Sequence, residues 1–272
     1  MSSAQTLALV DTHCHLADEK FSTDMDSVCQ RATAAGVTSI VAVGDKLDSS
    51  RRALEIARAW PDAQLVAAVG VHPHHAENWT DETDLQLRAL CREGVEAGKV
   101  VALGETGLDF YYDNSPREQQ AEIFAAQAEI AREFHLPLVI HVRDAWDTFF
   151  EMIDRLNLPQ IGGVVHCFSG NAKQAVRLTE MGFYLGVGGV ITFKKSDDLR
   201  ESVRAVPLES LLLETDAPYL APVPMRGDRN EPAYVAHTAA VLAQVLEKPL
   251  EEIARVTTAN AVRLLGKKIR IS

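Results

Sequence analysis

The chain has 272 residues, 47% hydrophobic and 24% charged, the composition of an ordinary globular protein and not of a disordered or fibrous one. Its 38 acidic residues against 27 basic ones give a formal net charge of −11, which excludes coating of nucleic acid by bulk electrostatics and leaves room only for a local cationic cleft. Four cysteines without a CxxC pair exclude a disulfide framework and a zinc knuckle.

In chain order, short apolar β-branched runs alternate with amphipathic stretches. The first strand is expected at 7–12, beginning with the run Leu7-Ala8-Leu9-Val10, and the first helix at 24–35. Strands at 39–43, 65–71, 100–104 and 138–142 come next, separated by helices at 49–60, 83–97 and 116–134. A helix at 146–156 leads to a strand at 163–167, a helix at 172–181, a strand at 183–188, a helix at 198–205 and an eighth strand at 211–215. Two helices, 232–246 and 250–265, close the chain. No basic n-region precedes the first strand, and no apolar run approaches the roughly 20 residues of a membrane span. The expected compartment is the cytoplasm, with no membrane partner.

The strands are near-continuous hydrophobic runs, the pattern of strands covered on both faces. Eight βα units without a linker predict an α/β chain, a single (β/α)8 TIM barrel domain over residues 1–272. A doubly wound open sheet would carry a Gly-rich phosphate turn after its first strand; here that place holds His13-Cys14-His15. The Pro-rich passage 217–232 is the one long turn-rich loop, and it comes after the eighth strand at the expected catalytic end.

Unusual polar residues fall at the carboxyl ends of the expected strands: His13 and His15 on the first, Glu105 on the fourth, His141 on the fifth, His166 on the sixth and Asp216 on the eighth. In a barrel these ends meet at one mouth, and residues two apart on a strand share a face, so His13 and His15 point inward together. A lone histidine near a strand end is usually a hydrogen-bonded core or surface group, and a lone acid there is usually a helix cap; six aligned on one rim indicate a metal site. Six ligands exceed the four of a structural zinc and fit two divalent ions about 3.5 to 4 Å apart. The expected assignment gives one ion His13, His15, Glu105 and Asp216 and the other Glu105, His141 and His166, with Glu105 bridging. Asp216 is the expected general base toward water, so Glu105 and Asp216 are the catalytic pair. Histidine-rich ligation suits Zn, Mn or Fe.

The motifs DTHCHL, VGVHPH, GETGLDFY, HVRDA, HCFSG, ETDAPYL and RNEPAYV resemble, in order and from Asp11 to about Gly266, the signatures of TatD-type metal-dependent deoxyribonucleases of the amidohydrolase superfamily. The resemblance implies a divalent-metal phosphodiesterase acting on DNA, a 3′ to 5′ exonuclease that prefers single-stranded ends; it gives the same six residues the metal roles and adds Mg to Mn and Zn as an ion expected to support activity. It adds His72, His74 and Asp109 beside the site as expected substrate-binding residues, with His72 within reach of the phosphate. Arg143 and Arg229, with Asn230, are expected to meet a phosphate, and Tyr111 to stack on a base. Two positions depart from the family pattern. Val142 stands where many relatives have Ser, and Asp228 stands where they often have Lys, which weakens the phosphate contact expected of that loop.

The same metal pair serves other hydrolases, because polarising a carbonyl and a phosphoryl group uses the same physics. A small-molecule amidohydrolase, lactonase or phosphotriesterase, and an aminoacyl-tRNA ester hydrolase, are therefore the alternatives. A non-enzymatic scaffold is disfavoured, since nothing physical would keep mutually repelling buried acids and imidazoles in a chain free of catalytic demand.

Overall fold

A computed structural model describes residues 7–60, 65–266 and 268–269. Eight parallel strands follow chain order around one sheet: β1 (Leu9–Cys14), β2 (Val37–Val43), β3 (Leu65–Val69), β4 (Val100–Asp109), β5 (Leu138–Arg143), β6 (Gly163–Val165), β7 (Tyr184–Val187) and β8 (Leu211–Leu213). Past the end of β8 the chain pairs with β1: the Asp216 amide donates to the His13 carbonyl at 2.9 Å, and the His15 amide donates to the Ala217 carbonyl at 2.8 Å. These bonds close the ring, and the (β/α)8 TIM barrel expected from the alternation is the fold.

Helices α1 (Met25–Ala34), α2 (Leu47–Ala59), α3 (Asp81–Glu96), α4 (Arg117–Phe134), α5 (Trp146–Arg155), α6 (Ala172–Glu180) and α7 (Asp197–Arg204) each return the chain to the next strand. The C-terminal α8 (Val235–Leu246) and α9 (Leu250–Leu265) come after β8. Between strands and helices lies a core that includes the fully buried Phe21, Phe124, Phe149 and Phe183; burying each such side chain contributes roughly 1.5–3 kcal/mol. A second core fills the barrel with Val10, Val41, Val66, Val101, Val139, Val164 and Leu212, and α9 adds Ala261 and Leu265 to it. The stretch around Glu105 differs most from expectation.

Strand β4 does not stop at residue 104 but runs on to Asp109. Its register against β5 slips between Leu103 and Thr106 and then resumes, with Gly107 opposite His141 and Asp109 opposite Arg143. Gly104 sits at the slip with φ of 144°, where a Cβ would lie 2.4 Å from the Val139 carbonyl oxygen, so only glycine fits. Two glycines close together, Gly104 and Gly107, read as a strand end, but they mark a bulge that re-aims one side chain, Glu105, into the barrel.

Candidate active site

Period-two alternation builds the site from the barrel core. Val139 in the core is followed two residues on by His141, Val164 by His166, and Leu212 by Glu214, so the first polar layer stands directly on the last apolar one. Glu105 lies at its centre and is 3% exposed. Its Oε1 is 2.8 Å from His166 Nε2, 3.0 Å from His141 Nδ1 and 3.3 Å from His72 Nε2. Its Oε2 is 3.5 Å from Nε2 of both His13 and His15. Asp216, in a left-handed turn with φ of 58°, brings Oδ1 to 3.4 Å from His15 Nε2 and 3.8 Å from His13 Nε2. The six residues expected to converge are thus together at one end of the barrel.

Neighbouring groups fix which ring nitrogens face inward. His15 Nδ1 donates to the Val43 carbonyl at 3.2 Å, which leaves the Nε2 lone pair directed at Asp216 and Glu105. His141 Nε2 donates to Asp109 Oδ2 at 3.0 Å, leaving Nδ1 inward. As a result two nitrogen pairs face each other, His13 Nε2 and His15 Nε2 at 3.2 Å and His141 Nδ1 and His166 Nε2 at 3.3 Å. Lone pairs converging beside carboxylates are the donor set of a divalent cation. Unpartnered buried atoms, His13 Nδ1, His166 Nδ1 and Glu214 Oε2, lie in the same cluster, and such groups are costly unless an ion or partner meets them. The residues present therefore fit a bound metal.

Three groups of ligand atoms lie close enough to hold an ion: His13, His15 and Asp216; His13, His166 and Glu214; and His72, Glu105 and His141. Beside the six expected residues, these groups bring in His72 and Glu214. Glu214, unassigned from sequence, is fully buried, accepts the Cys167 amide at Oε1 and stands 3.6 Å from His166 Nδ1. Its signal in the sequence is the same alternation, since it lies two residues beyond the inward Leu212. His72, expected to reach the phosphate, touches Glu105, and its Nδ1 accepts the His74 amide at 3.1 Å. The neutral ring then carries its proton on Nε2 and donates to Glu105.

Burial alone would raise the Glu105 carboxyl, but the charge of His166 and the close contacts with His72, His13 and His141 hold it well below the usual range. Burial pushes His72 down to about 4 and also lowers His13. Against their own burial, His15 is raised to about 9, chiefly by Asp216 and Glu105, and His166 is raised by Glu105 and Glu214. Protons held on these rings are what a cation displaces when it binds.

Of four other expected residues, His74 and Asp109 line the cavity beside the cluster, and Arg229 and Asn230 do not. Asp109 is fully buried with both oxygens occupied: Oδ1 accepts the Tyr111 and Tyr112 amides, and Oδ2 meets His74 and His141 at 2.9 and 3.0 Å. Its contacts orient the His74 and His141 imidazoles. Arg229 points away from the cavity, bound to Asp24 and Glu231 and lying 4.8 Å over the Phe21 ring. Buried Asn230 donates to the Thr215 and Tyr219 carbonyls at 2.8 and 2.6 Å. Both side chains tie down the loop that carries Asp216, because their donors are already used.

The cluster floors an open cavity of about 900 Å³ whose wall includes Arg143 and Tyr112. Arg143 lies 4.1 Å from the Tyr111 ring and 4.8 Å from the Tyr112 ring, so its partners are aromatic faces. Tyr112 takes the lining position expected of Tyr111. Behind the wall, α4 presents two buried amides that nothing in residue type or spacing singles out. Gln127 bonds both the Val71 amide and carbonyl and Thr106 Oγ1; Gln120 bonds the Asp109 amide and carbonyl.

A family model described as TatD related DNase matches residues 10–266. The uncharacterized metal-dependent hydrolase YabD of Bacillus subtilis is 42% identical over 256 residues, 94% of this chain and 98% of that one. A protein of Erwinia billingiae named 3′-5′ ssDNA/RNA exonuclease TatD is 37% identical over 262 residues, with 94% and 98% covered. The crystal structure of YjjV, a TatD homolog from Escherichia coli K12, superposes with a TM-score of 0.89 at 35% identity, covering 96% of this chain and 99% of that one.

Proposed function

Because the chain belongs to the TatD related DNase family and is a metal-dependent hydrolase, we propose that it is an exonuclease shortening single-stranded DNA from the 3′ end. One observation carries this reading. A buried carboxylate, Glu105, contacts five imidazoles on the floor of a cavity that is open, and whose wall offers a guanidinium stacked on tyrosines. An open cleft with a cation and a π-face suits a strand end better than it suits a small neutral ester. Relatives named as 3′-5′ ssDNA/RNA exonucleases support the polarity and extend the substrate class to RNA.

In this reading His13, His15, Glu105 and Asp216 would hold one divalent ion and Glu105, His141 and His166 a second, with Glu214 behind His166. Ions so held would supply the charge that polarises a phosphoryl oxygen and acidifies water. Asp216, whose carboxyl is kept low by His15 despite its burial, accepts the proton of the attacking water. Arg143 binds a phosphate oxygen, and Tyr112 stacks on the terminal base. Asp109 keeps His141 in the tautomer with Nδ1 inward.

The test offers metal-supplemented protein 5′-labelled single-stranded DNA, duplex DNA, RNA, aminoacyl-tRNA and a panel of small esters. Progressive 3′ shortening of the single strand, abolished by EDTA and reduced about 10²–10⁴-fold by Asp216→Asn, is the expected result. Turnover of the small esters or of aminoacyl-tRNA alone would overturn it.

A further inference from the structure

The cavity is larger than one scissile phosphodiester needs. Its volume of about 900 Å³ stands near the top of the roughly 300–1,000 Å³ range of pockets that enclose a drug-sized ligand. One side is formed by the segment joining β2 to α2 and the first turns of α2, through Asp45, Lys46, Asp48, Ser49 and Arg52. That side is chemically uneven. Its acids are engaged: Asp45 accepts Ser49 Oγ and lies 3.5 Å from His75 Nε2, and the 87%-exposed Asp48 lies 3.6 Å from Arg51. Its cations are not. Among the described residues no carboxylate pairs with the Lys46 ammonium or the Arg52 guanidinium, although Arg52 is half-buried in the cavity wall. Other half-buried arginines have partners, such as Arg88 with Asp84, Arg200 with Asp197 and Arg229 with Asp24. A half-buried guanidinium and an ammonium left without acids, in the same cavity as a hydrolytic centre, are placed to receive an anion from the substrate.

We infer that Lys46 and Arg52 form a second phosphate subsite, which holds the phosphodiester next to the one being cleaved. This rests on the nuclease reading and deepens it: the preferred substrate carries at least two phosphodiester links, a trinucleotide or longer. Arg143 and the cluster engage the scissile link, while Lys46 and Arg52 engage its neighbour across the cavity. Small one-phosphate diesters reach only the first of these.

The experiment compares wild type with Lys46→Gln, Arg52→Gln, the double variant and Arg51→Gln, whose parent residue pairs with Asp48 and does not line the cavity. Thermal melts establish that each is folded, and Arg52→Met serves if Arg52→Gln is not. Binding of a labelled single-stranded DNA decamer in EDTA is measured by fluorescence anisotropy from about 50 to 200 mM salt. The slope of log affinity against log salt is expected to shrink by about 0.7 for each cation removed and to stay the same in Arg51→Gln. With metal restored, the ratio of kcat/KM for a trinucleotide over thymidine 5′-p-nitrophenyl phosphate is expected to fall about fivefold or more in the double variant. An unchanged slope and ratio in the double variant, or an equal change in Arg51→Gln, overturns the subsite while leaving the nuclease reading intact. Wild type that neither binds nor cleaves any oligonucleotide overturns both.

Discussion

A methyl group on Gly186 would lie 2.3 Å from Glu214 Oε2, so a glycine on β7 and an acid just beyond β8 share one volume beneath the histidines. Gly186→Ala is therefore expected to push the Glu214 carboxylate out of its seat and destabilise the fold by about 1–3 kcal/mol. Gly188→Ala is the control, because there the nearest atom to a new methyl is 3.8 Å away and φ is an ordinary −100°. Thermal melts should show Gly186→Ala several degrees below wild type and Gly188→Ala close to it. Equal melting of the two variants would mean that Glu214 does not fill the space beside Gly186.

Gln127 acts on the site without reaching it. Its amide satisfies the backbone of Val71, immediately before His72, and the hydroxyl of Thr106, immediately after Glu105. Leucine in its place fits the space but leaves three buried polar groups unpaired, at a cost of about 2–5 kcal/mol in all. Urea denaturation of Gln127→Leu should show that loss in the midpoint. A variant as stable as wild type would show that water replaces the amide.

The loop carrying Asp216 is pinned by ion pairs whose strength depends on pH. Hydrogen bonds from Arg229 and Arg31 hold Asp24 down to about 2, and the same two residues lower Glu231 against its partial burial. A carboxylate with a depressed folded pKa contributes stability that is full above its unfolded pKa, about 3.9 for Asp, and is lost as pH falls through the folded value. The melting difference between wild type and Asp24→Asn should then be constant from neutral pH to about 4 and shrink below it. A difference that grows on acidification would contradict the pairing.

Much of this molecule is legible in its sequence because its periodicity is simple. The apolar runs mark all eight strands, and the inward step of two from Val139 to His141 and from Val164 to His166 makes the mouth residues visible as a set. The rest is hidden for physical reasons. Glu105 reaches the centre through a bulge at Gly104, and a glycine pair in sequence marks a bulge and a strand end alike. Arg229 and Asn230 look like phosphate contacts by residue type, yet their donors are consumed by Asp24, Glu231 and two backbone carbonyls. Gln120 and Gln127 are ordinary helix residues until their partners, distant in the chain, are known. Glu214 obeys the same alternation as His141 and His166, one step beyond an inward core residue.

The measurement that bears most directly on the central claim, that Glu105 joins two cation positions at the barrel mouth, is a calorimetric titration of metal-stripped protein with Mn²⁺. Wild type is expected to bind two ions per chain, Asp216→Asn to keep one and Glu105→Gln to lose both, with far-UV circular dichroism unchanged in each. Undiminished binding of two ions by a folded Glu105→Gln protein would contradict the account.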